Sequence, residues 1–102
     1  MDMPTYMLMR LKVRDFFTWK KIYDTQLMKR IEVGLIEKYL FQGTDDTTEV
    51  TILYQAKDLA RARAFSASPE LRERMEKAGV VKGPEIYFLN SYSEAVAMAS
   101  GF

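Results

Sequence analysis

The segment Glu49-Val-Thr-Ile-Leu-Tyr-Gln-Ala56 decides the fold, because β-branched and aromatic residues alternate in it with polar ones. Side chains alternate along a strand, so one face of this segment is apolar and the other is mixed. The apolar face consists of Val50, Ile52, Tyr54 and Ala56, and the mixed face of Thr51, Leu53 and Gln55. We therefore expect a central strand that helices cover on one side and a second copy of the protein, or less apolar groups, on the other.

The composition is typical of one globular domain. The chain has 102 residues, 48% of them hydrophobic and 28% charged, which suits a single domain spanning residues 1–102. Fifteen basic and 14 acidic residues nearly cancel, which disfavours nucleic acid and membranes as partners. No cysteine or histidine occurs, so disulfides, a Ser-His-Asp triad and an ordinary zinc site are excluded, and we expect no cofactor. Without a signal-peptide pattern or a run of roughly 20 apolar residues, a cytoplasmic protein is expected.

The first two elements predicted along the chain are a strand and a helix. Residues 5–14 alternate between an apolar and a partly charged face, which predicts the first strand. Asp15 then stands at a helix N-cap position, and Gly34 can end the helix that follows. Large apolar residues recur in it at three- and four-residue steps, which predicts one continuous helix. Its apolar stripe consists of Phe16, Trp19, Tyr23, Leu27 and Ile31.

The remaining segments predict a hairpin, a helical region in two pieces and a last strand. Residues 37–44 predict a second strand, which the turn at 43–48 joins to the central strand as a hairpin. Residues 58–65 favour a helix, and Ser68-Pro69 predicts that a second helical piece restarts and runs to Gly79. Residues 84–89 predict the last strand, and we expect residues 95–102 to form a mobile tail.

The predicted order is β-α-β-β-α-β, the α+β ferredoxin-like arrangement, with a four-stranded antiparallel sheet and helices on one face. The other face stays open and carries Tyr6, Leu8, Leu53 and Leu89. Exposed apolar patches usually mark interfaces, so we predict a homodimer through the open sheet faces. Arg10 lies on the same side, where it could bind an anion or, as we favour, pair with an acidic residue of the second copy.

Several short segments between Asp15 and about Asn90 match a known superfamily. They are Asp15-Phe16, Trp19, Tyr23-Asp24, Arg30, Gly34, Asp45-Asp46, Asp58 to Phe65, Ser68 to Leu71, Met75 to Val80 and Pro84 to Leu89. Through them the chain resembles small bacterial and archaeal proteins of the dimeric α/β-barrel superfamily, which includes antibiotic-biosynthesis monooxygenase-like and cyclase-like domains. The resemblance implies a dimeric α/β barrel, but the superfamily ranges from cofactor-independent monooxygenases to proteins without known activity. Relatives often carry histidine where this chain has Gln26, so a histidine base has no counterpart here.

One surface of the predicted first helix is the candidate site. Four residues lie on it at steps of four, three and four: Trp19, Tyr23, Gln26 and Arg30. Substrates of monooxygenase-like relatives lie between helices and sheet, so the resemblance implies that this surface holds a planar phenolic or enolic ligand and stabilises its anion. The alternative is that both aromatic residues belong to the core and the polar pair lines its edge. Tyr54 and Tyr87 offer further phenol groups, either as proton carriers or as structural residues.

Two functions fit these observations. The first is a monooxygenase-like or cyclase-like enzyme that acts without metal or flavin on a small aromatic or polyketide-like substrate. The second is a non-catalytic dimeric ligand-binding or accessory protein whose aromatic cleft holds a hydrophobic molecule, and the missing histidine favours this second function. The basic residues between 58 and 82 are interleaved with acidic ones, which indicates a solvated surface and not a nucleic-acid site.

Overall fold

In the computed structural model, which describes residues 3–93, four strands and four short helices follow one another along the chain. The strands are β1 (Thr5–Val13), β2 (Leu35–Gln42), β3 (Glu49–Ala56) and β4 (Val80–Asn90). The helices are α1 (Phe16–Asp24), α2 (Leu27–Glu32), α3 (Leu59–Ser66) and α4 (Pro69–Lys77). The expected tail at 95–102 lies outside the described residues. Within the described part, no helix is long and apolar enough to cross a membrane.

The sheet has the strand order β2-β3-β1-β4, and every neighbouring pair is antiparallel. This order, with helical connections between β1 and β2 and between β3 and β4, confirms the predicted ferredoxin-like arrangement. The segment Glu49–Ala56 is a central strand, as predicted, and β1 is its central neighbour.

The core lies between the helices and one face of the sheet. The alternation predicted for both central strands is observed, because their apolar sets are buried there. From β1 these are Met7, Met9, Leu11 and Val13, and from β3 they are Val50, Ile52, Tyr54 and Ala56. This covered face is where any enclosed site has to lie.

Side-chain caps explain where the helices begin. The Asp15 carboxylate accepts a hydrogen bond from the Thr18 amide at 2.9 Å, as the N-cap prediction requires. The Ser68 hydroxyl accepts from the Leu71 amide at 3.2 Å, and Pro69 occupies the first turn. Gly34 has φ +79°, the left-handed conformation expected after a helix.

The prediction of one continuous first helix is wrong, because the chain turns at Thr25 and Gln26 between α1 and α2. The Thr25 hydroxyl donates to the Ile22 carbonyl at 2.6 Å, a local bond that competes with continuation of the helix. The break changes the phase of the helical period. Leu27 and Ile31, which were expected on the buried stripe, are therefore 53% and 55% exposed.

Both edge strands start earlier than predicted. β2 begins at Leu35 instead of residue 37, and β4 begins at Val80 instead of residue 84. Pro84 lies inside β4, which an edge strand tolerates because one side of its backbone has no ladder partner. β2 also contains a bulge, since Glu37 pairs with Tyr54 whereas Tyr39 pairs with Leu53. The bulge directs Glu37 to the helix-covered face and Tyr39 to the open one.

Candidate functional site

A cavity lies between the helices and the covered face of the sheet. Its volume is about 50 Å³. Its lining includes five of the six predicted site residues: Trp19, Tyr23, Gln26, Arg30 and Tyr54. Apolar side chains complete the wall, among them Met7, Met9, Ile52, Phe65 and Met75. The structure thus brings these predicted residues together in one place, which we call the cleft.

The aromatic wall of the cleft consists of Trp19 and Tyr23, one turn apart on α1. Their ring centroids are 4.8 Å apart and the planes are tilted by 27°, so the rings stack. Both side chains are buried. They therefore contribute to the core and line the cleft at once.

The hydroxyl groups of Tyr23 and Tyr54 form a hydrogen-bond chain with Glu37. Tyr23 Oη donates to Glu37 Oε1 at 2.7 Å and lies 3.0 Å from Tyr54 Oη. A phenol has one proton, so Tyr54 is the donor in the second bond. The chain runs from buried Tyr54, through Tyr23, to the exposed carboxylate of Glu37.

Burial controls the ionisation of both phenols. It raises the pKa of Tyr54 to about 12, although the hydrogen bond between Tyr54 and Tyr23 and the nearby Arg30 charge oppose the shift. Burial also raises the pKa of Tyr23 above its ordinary range, and the neighbouring Tyr54 and the bond to Glu37 act in the same direction. Both residues are consequently neutral hydrogen-bond donors at neutral pH.

Arg30 is a buried cation at the edge of the cleft. It is 7% exposed, and its Nη1 donates to the Tyr23 carbonyl at 2.8 Å, near the end of α1. Its guanidinium also lies over the Tyr23 ring, 3.7 Å from the centroid. Within residues 3–93, no carboxylate forms a salt bridge with Arg30. The Arg30 guanidinium therefore lines the cleft as a cation whose side-chain contacts are a carbonyl group and an aromatic ring.

The other predicted residues differ in position. Gln26 immediately precedes α2 and lines the cleft, and its side chain does not cap the helix. Tyr87 lies on the open face of the sheet instead, where it is 46% exposed and donates to Glu85 at 3.1 Å. Arg10 is also exposed on the open face, opposite Glu85 in the β1–β4 register. The open face therefore holds Tyr87 and Arg10 away from the cleft.

The sequence interpretation missed Glu37. Strict alternation from Tyr39 and Phe41 would have placed Glu37 on their face, and only the bulge separates them. The described residues contain no group of three acidic side chains with the geometry of a metal site. The groups available for chemistry in the cleft are thus two phenols, one amide, the guanidinium groups of Arg30 and Arg74, and a carboxylate at the solvent end. Arg74 differs from Arg30 in that it forms a salt bridge with Glu70.

Comparisons with known proteins support the fold. Neither the protein-family models nor the curated proteins compared give a match. Among solved structures, SnoaB, a cofactor-independent oxygenase from Streptomyces nogalater, is similar with a TM-score of 0.69 at 11% identity, over 90% of this chain and 96% of that chain. A monooxygenase from Streptomyces coelicolor in complex with nanaomycin D is similar with a TM-score of 0.63 and 20% sequence identity, over 90% of each chain. A conserved protein from Methanosarcina mazei is similar with a TM-score of 0.64 and 14% sequence identity, over 85% of this chain and 91% of that chain.

The fold and the cleft together define a ferredoxin-like α+β domain with a cavity between the helices and the sheet. More narrowly, the chain has the fold of solved structures described as putative antibiotic biosynthesis monooxygenases, from Nitrosomonas europaea and Caulobacter crescentus, which confirms the predicted resemblance. At identities of 11–20% the similarity establishes the fold alone. The chemistry has to be argued from the cleft.

Proposed function

We propose that the cleft binds a small aromatic ligand with an ionisable enol or phenol, and that the protein is a cofactor-independent oxygenase of such ligands. The observation that carries the proposal is Arg30, a buried cation without a carboxylate partner in the described chain, beside two neutral phenols. An anionic ligand would supply the missing negative charge, and stabilisation of a developing anion is a major source of catalysis. Trp19 and Tyr23 provide the flat apolar wall.

The names of two similar structures support this chemistry. One is described as a cofactor-independent oxygenase and the other as a monooxygenase bound to nanaomycin D. A substrate carbanion can react with oxygen directly. A ring methylene flanked by aromatic rings and conjugated to a carbonyl then loses two hydrogens and gains one oxygen atom, while the second oxygen atom leaves as water. The reaction balances without an external reductant.

The ligand needs more room than the cleft offers at rest. A volume of about 50 Å³ is well below the roughly 300–1,000 Å³ of ordinary small-molecule sites. The wall opposite the sheet includes Ile22, Phe65 and Met75, all only partly buried. Methionine adapts readily to new shapes, so we expect α4 and Met75 to move outward when a ligand enters.

We also propose that two copies associate through their open sheet faces and form a dimeric α/β barrel. Apolar side chains of all four strands lie on this face: Tyr6, Leu8, Ile36, Tyr39, Phe41, Leu53, Tyr87 and Leu89. Tyr39 and Phe41 are 59% and 51% exposed, an unusual position for large rings unless another surface covers them. Basic Arg10 and Lys12 lie beside Glu85 and Glu49 in the registers, so two identical faces can meet without net repulsion.

The second candidate function is non-catalytic binding of the same ligand class, which the absence of histidine favours. Incubation with 1,8-dihydroxyanthrone under oxygen separates the two functions. Trp19 is the only tryptophan, so its emission reports entry of the probe into the cleft. A change in emission with oxygen uptake and anthraquinone formation supports the oxygenase. A change without uptake supports the binding protein, and unaltered emission refutes both.

A further inference from the structure

The path of the tyrosine hydrogen bonds has a direction. Tyr54 donates to Tyr23, and Tyr23 donates to the Glu37 carboxylate at 2.7 Å. Each proton thus lies on a path that leads toward the exposed Glu37 carboxylate. Tyr54 Oη retains lone pairs that can accept a hydrogen bond from a ligand hydroxyl.

The β2 bulge is what completes this path. It turns Glu37 to the covered face opposite Tyr54, although the neighbouring Ile36 and Tyr39 belong to the open face. Bulges often redirect one side chain close to a functional site. Glu37 is exposed, so its carboxylate can exchange protons with water while its oxygen contacts a buried phenol.

We propose that Glu37 is the terminal proton acceptor of the cleft and acts through Tyr23 and Tyr54. This inference rests on the proposed function and assigns the base that the missing histidine leaves open. The ligand hydroxyl passes its proton to Tyr54 Oη, Tyr54 passes its own to Tyr23, and Tyr23 passes its own to Glu37 Oε1. Both tyrosines end as neutral phenols, and the negative charge moves from Glu37 to the ligand beside Arg30.

The relay also restricts the ligand class. A carboxylate is a weaker base than a phenolate by roughly six pKa units, so a simple phenol transfers its proton poorly along this path. Enols and phenols conjugated to a carbonyl are more acidic. The relay therefore suits hydroxyl groups conjugated to ketones or quinones better than isolated phenols.

Glu37→Gln is the decisive variant, because the amide oxygen still accepts the Tyr23 bond but cannot take up a proton. Bound 1,8-dihydroxyanthrone is followed without oxygen, by Trp19 emission for binding and by its own long-wavelength absorbance for ionisation. We expect the ratio of ionised to neutral bound probe to fall at least tenfold in this variant. The matched control Glu76→Gln removes an exposed carboxylate on α4 and should keep the wild-type ratio.

A second variant at another residue of the path keeps the test valid if Glu37→Gln fails to fold. Tyr23→Phe interrupts the path and leaves Glu37 in place, so it should also lower the ratio of ionised to neutral bound probe. In the double variant Tyr23→Phe/Glu37→Gln this ratio should be no lower than in the single variants. Under oxygen, turnover should fall in parallel, by about 10²-fold or more for loss of a proton acceptor. Normal binding with an unchanged ionised ratio in both single variants overturns the relay alone. Unaltered wild-type Trp19 emission overturns the relay together with the proposed function.

Discussion

The two faces of the sheet treat aromatic side chains differently, although the same strands supply both. On the helix-covered face Tyr54 is 2% exposed, and its hydroxyl bonds to another buried phenol. On the open face Tyr39 is 59% exposed and stacks on Phe41 at 5.5 Å. Buried aromatic groups with polar tips need internal partners, whereas exposed rings need another surface. The covered face is therefore suited to chemistry and the open face to association.

The largest effect is expected from a charge on the open face. Leu53 lies between Leu8 and Tyr39 in the registers, so Leu53→Lys would place an unpaired cation inside the proposed dimer interface. Removal of a partner from a buried charge costs about 3–5 kcal/mol, and we expect a comparable loss of association. Light scattering should show about twice the 11.9 kDa chain mass for the wild type and the single chain mass for the variant.

Leu59→Lys is the matched control, since Leu59 begins α3, does not belong to a strand of the open face and is 37% exposed. It should remain a dimer. A wild-type protein that is monomeric at micromolar concentration would refute the role assigned to the open face.

A cavity on the covered face should have the next largest effect. Ile52 is fully buried, so Ile52→Ala should lower the free energy of unfolding by about 2–5 kcal/mol. The adjacent Thr51 points to the open face, and Thr51→Ala should change it by about 0.5 kcal/mol or less. Urea denaturation at one protein concentration gives both values. Equal losses at these neighbouring positions would remove the distinction between the faces.

Alkaline pH should weaken the covered face selectively. The pKa of Tyr54 is about 12 in the folded protein and about 10 in an unfolded chain. Between these values the folded state holds a proton that the unfolded state has lost, so stability is fully present below pH 10 and falls as the pH rises to 12. The loss is on the order of 3 kcal/mol.

Tyr54→Phe should reduce this alkaline loss, and some loss should persist because burial also raises the pKa of Tyr23. Tyr92→Phe removes a 95% exposed phenol and should leave the alkaline loss as in the wild type. Denaturation curves at pH 9 and pH 11 measure the difference. Identical pH dependence in the wild type and Tyr54→Phe would contradict the assigned shift.

Arg30→Met tests whether the buried cation serves the ligand or only the fold. It removes the bond to the Tyr23 carbonyl, so a loss of about 1.5–3 kcal/mol in stability is expected. Affinity for anionic aromatic probes should fall by at least tenfold, measured by Trp19 emission. Arg30→Lys keeps the charge without the planar fork, and it should recover part of the affinity. A stability loss with unchanged affinity would return Arg30 to a structural role.

Period-two alternation was sufficient to predict β1 and β3, because both strands bury one complete face. It could not predict the bulge in β2, since nothing in the composition around Lys38 marks the extra residue. The break after α1 was hidden in the same way, because Leu27 and Ile31 continue an apparent helical period. Steps of three and four residues nevertheless brought Trp19, Tyr23, Gln26 and Arg30 to one cleft, because the turn at Thr25 is short. Glu37 depended on the bulge and was therefore found only in three dimensions.

The smallest effect is expected at the edge of the cleft, where Ser68 links α3 to α4. Its hydroxyl donates to the Phe65 carbonyl at 2.8 Å and accepts from the Leu71 amide at 3.2 Å. Ser68→Ala removes this N-cap, so stability should fall by about 1 kcal/mol and the melting temperature by roughly 4–8 °C. Ser66→Ala is the control, since its hydroxyl only bonds back to the Arg63 carbonyl within α3 and should matter less. Because α4 carries Met75 over the cleft, a loosened α4 should also let probes quench Trp19 faster, whereas the dimer mass should not change. Faster quenching in Ser66→Ala as well would show that the probe enters elsewhere.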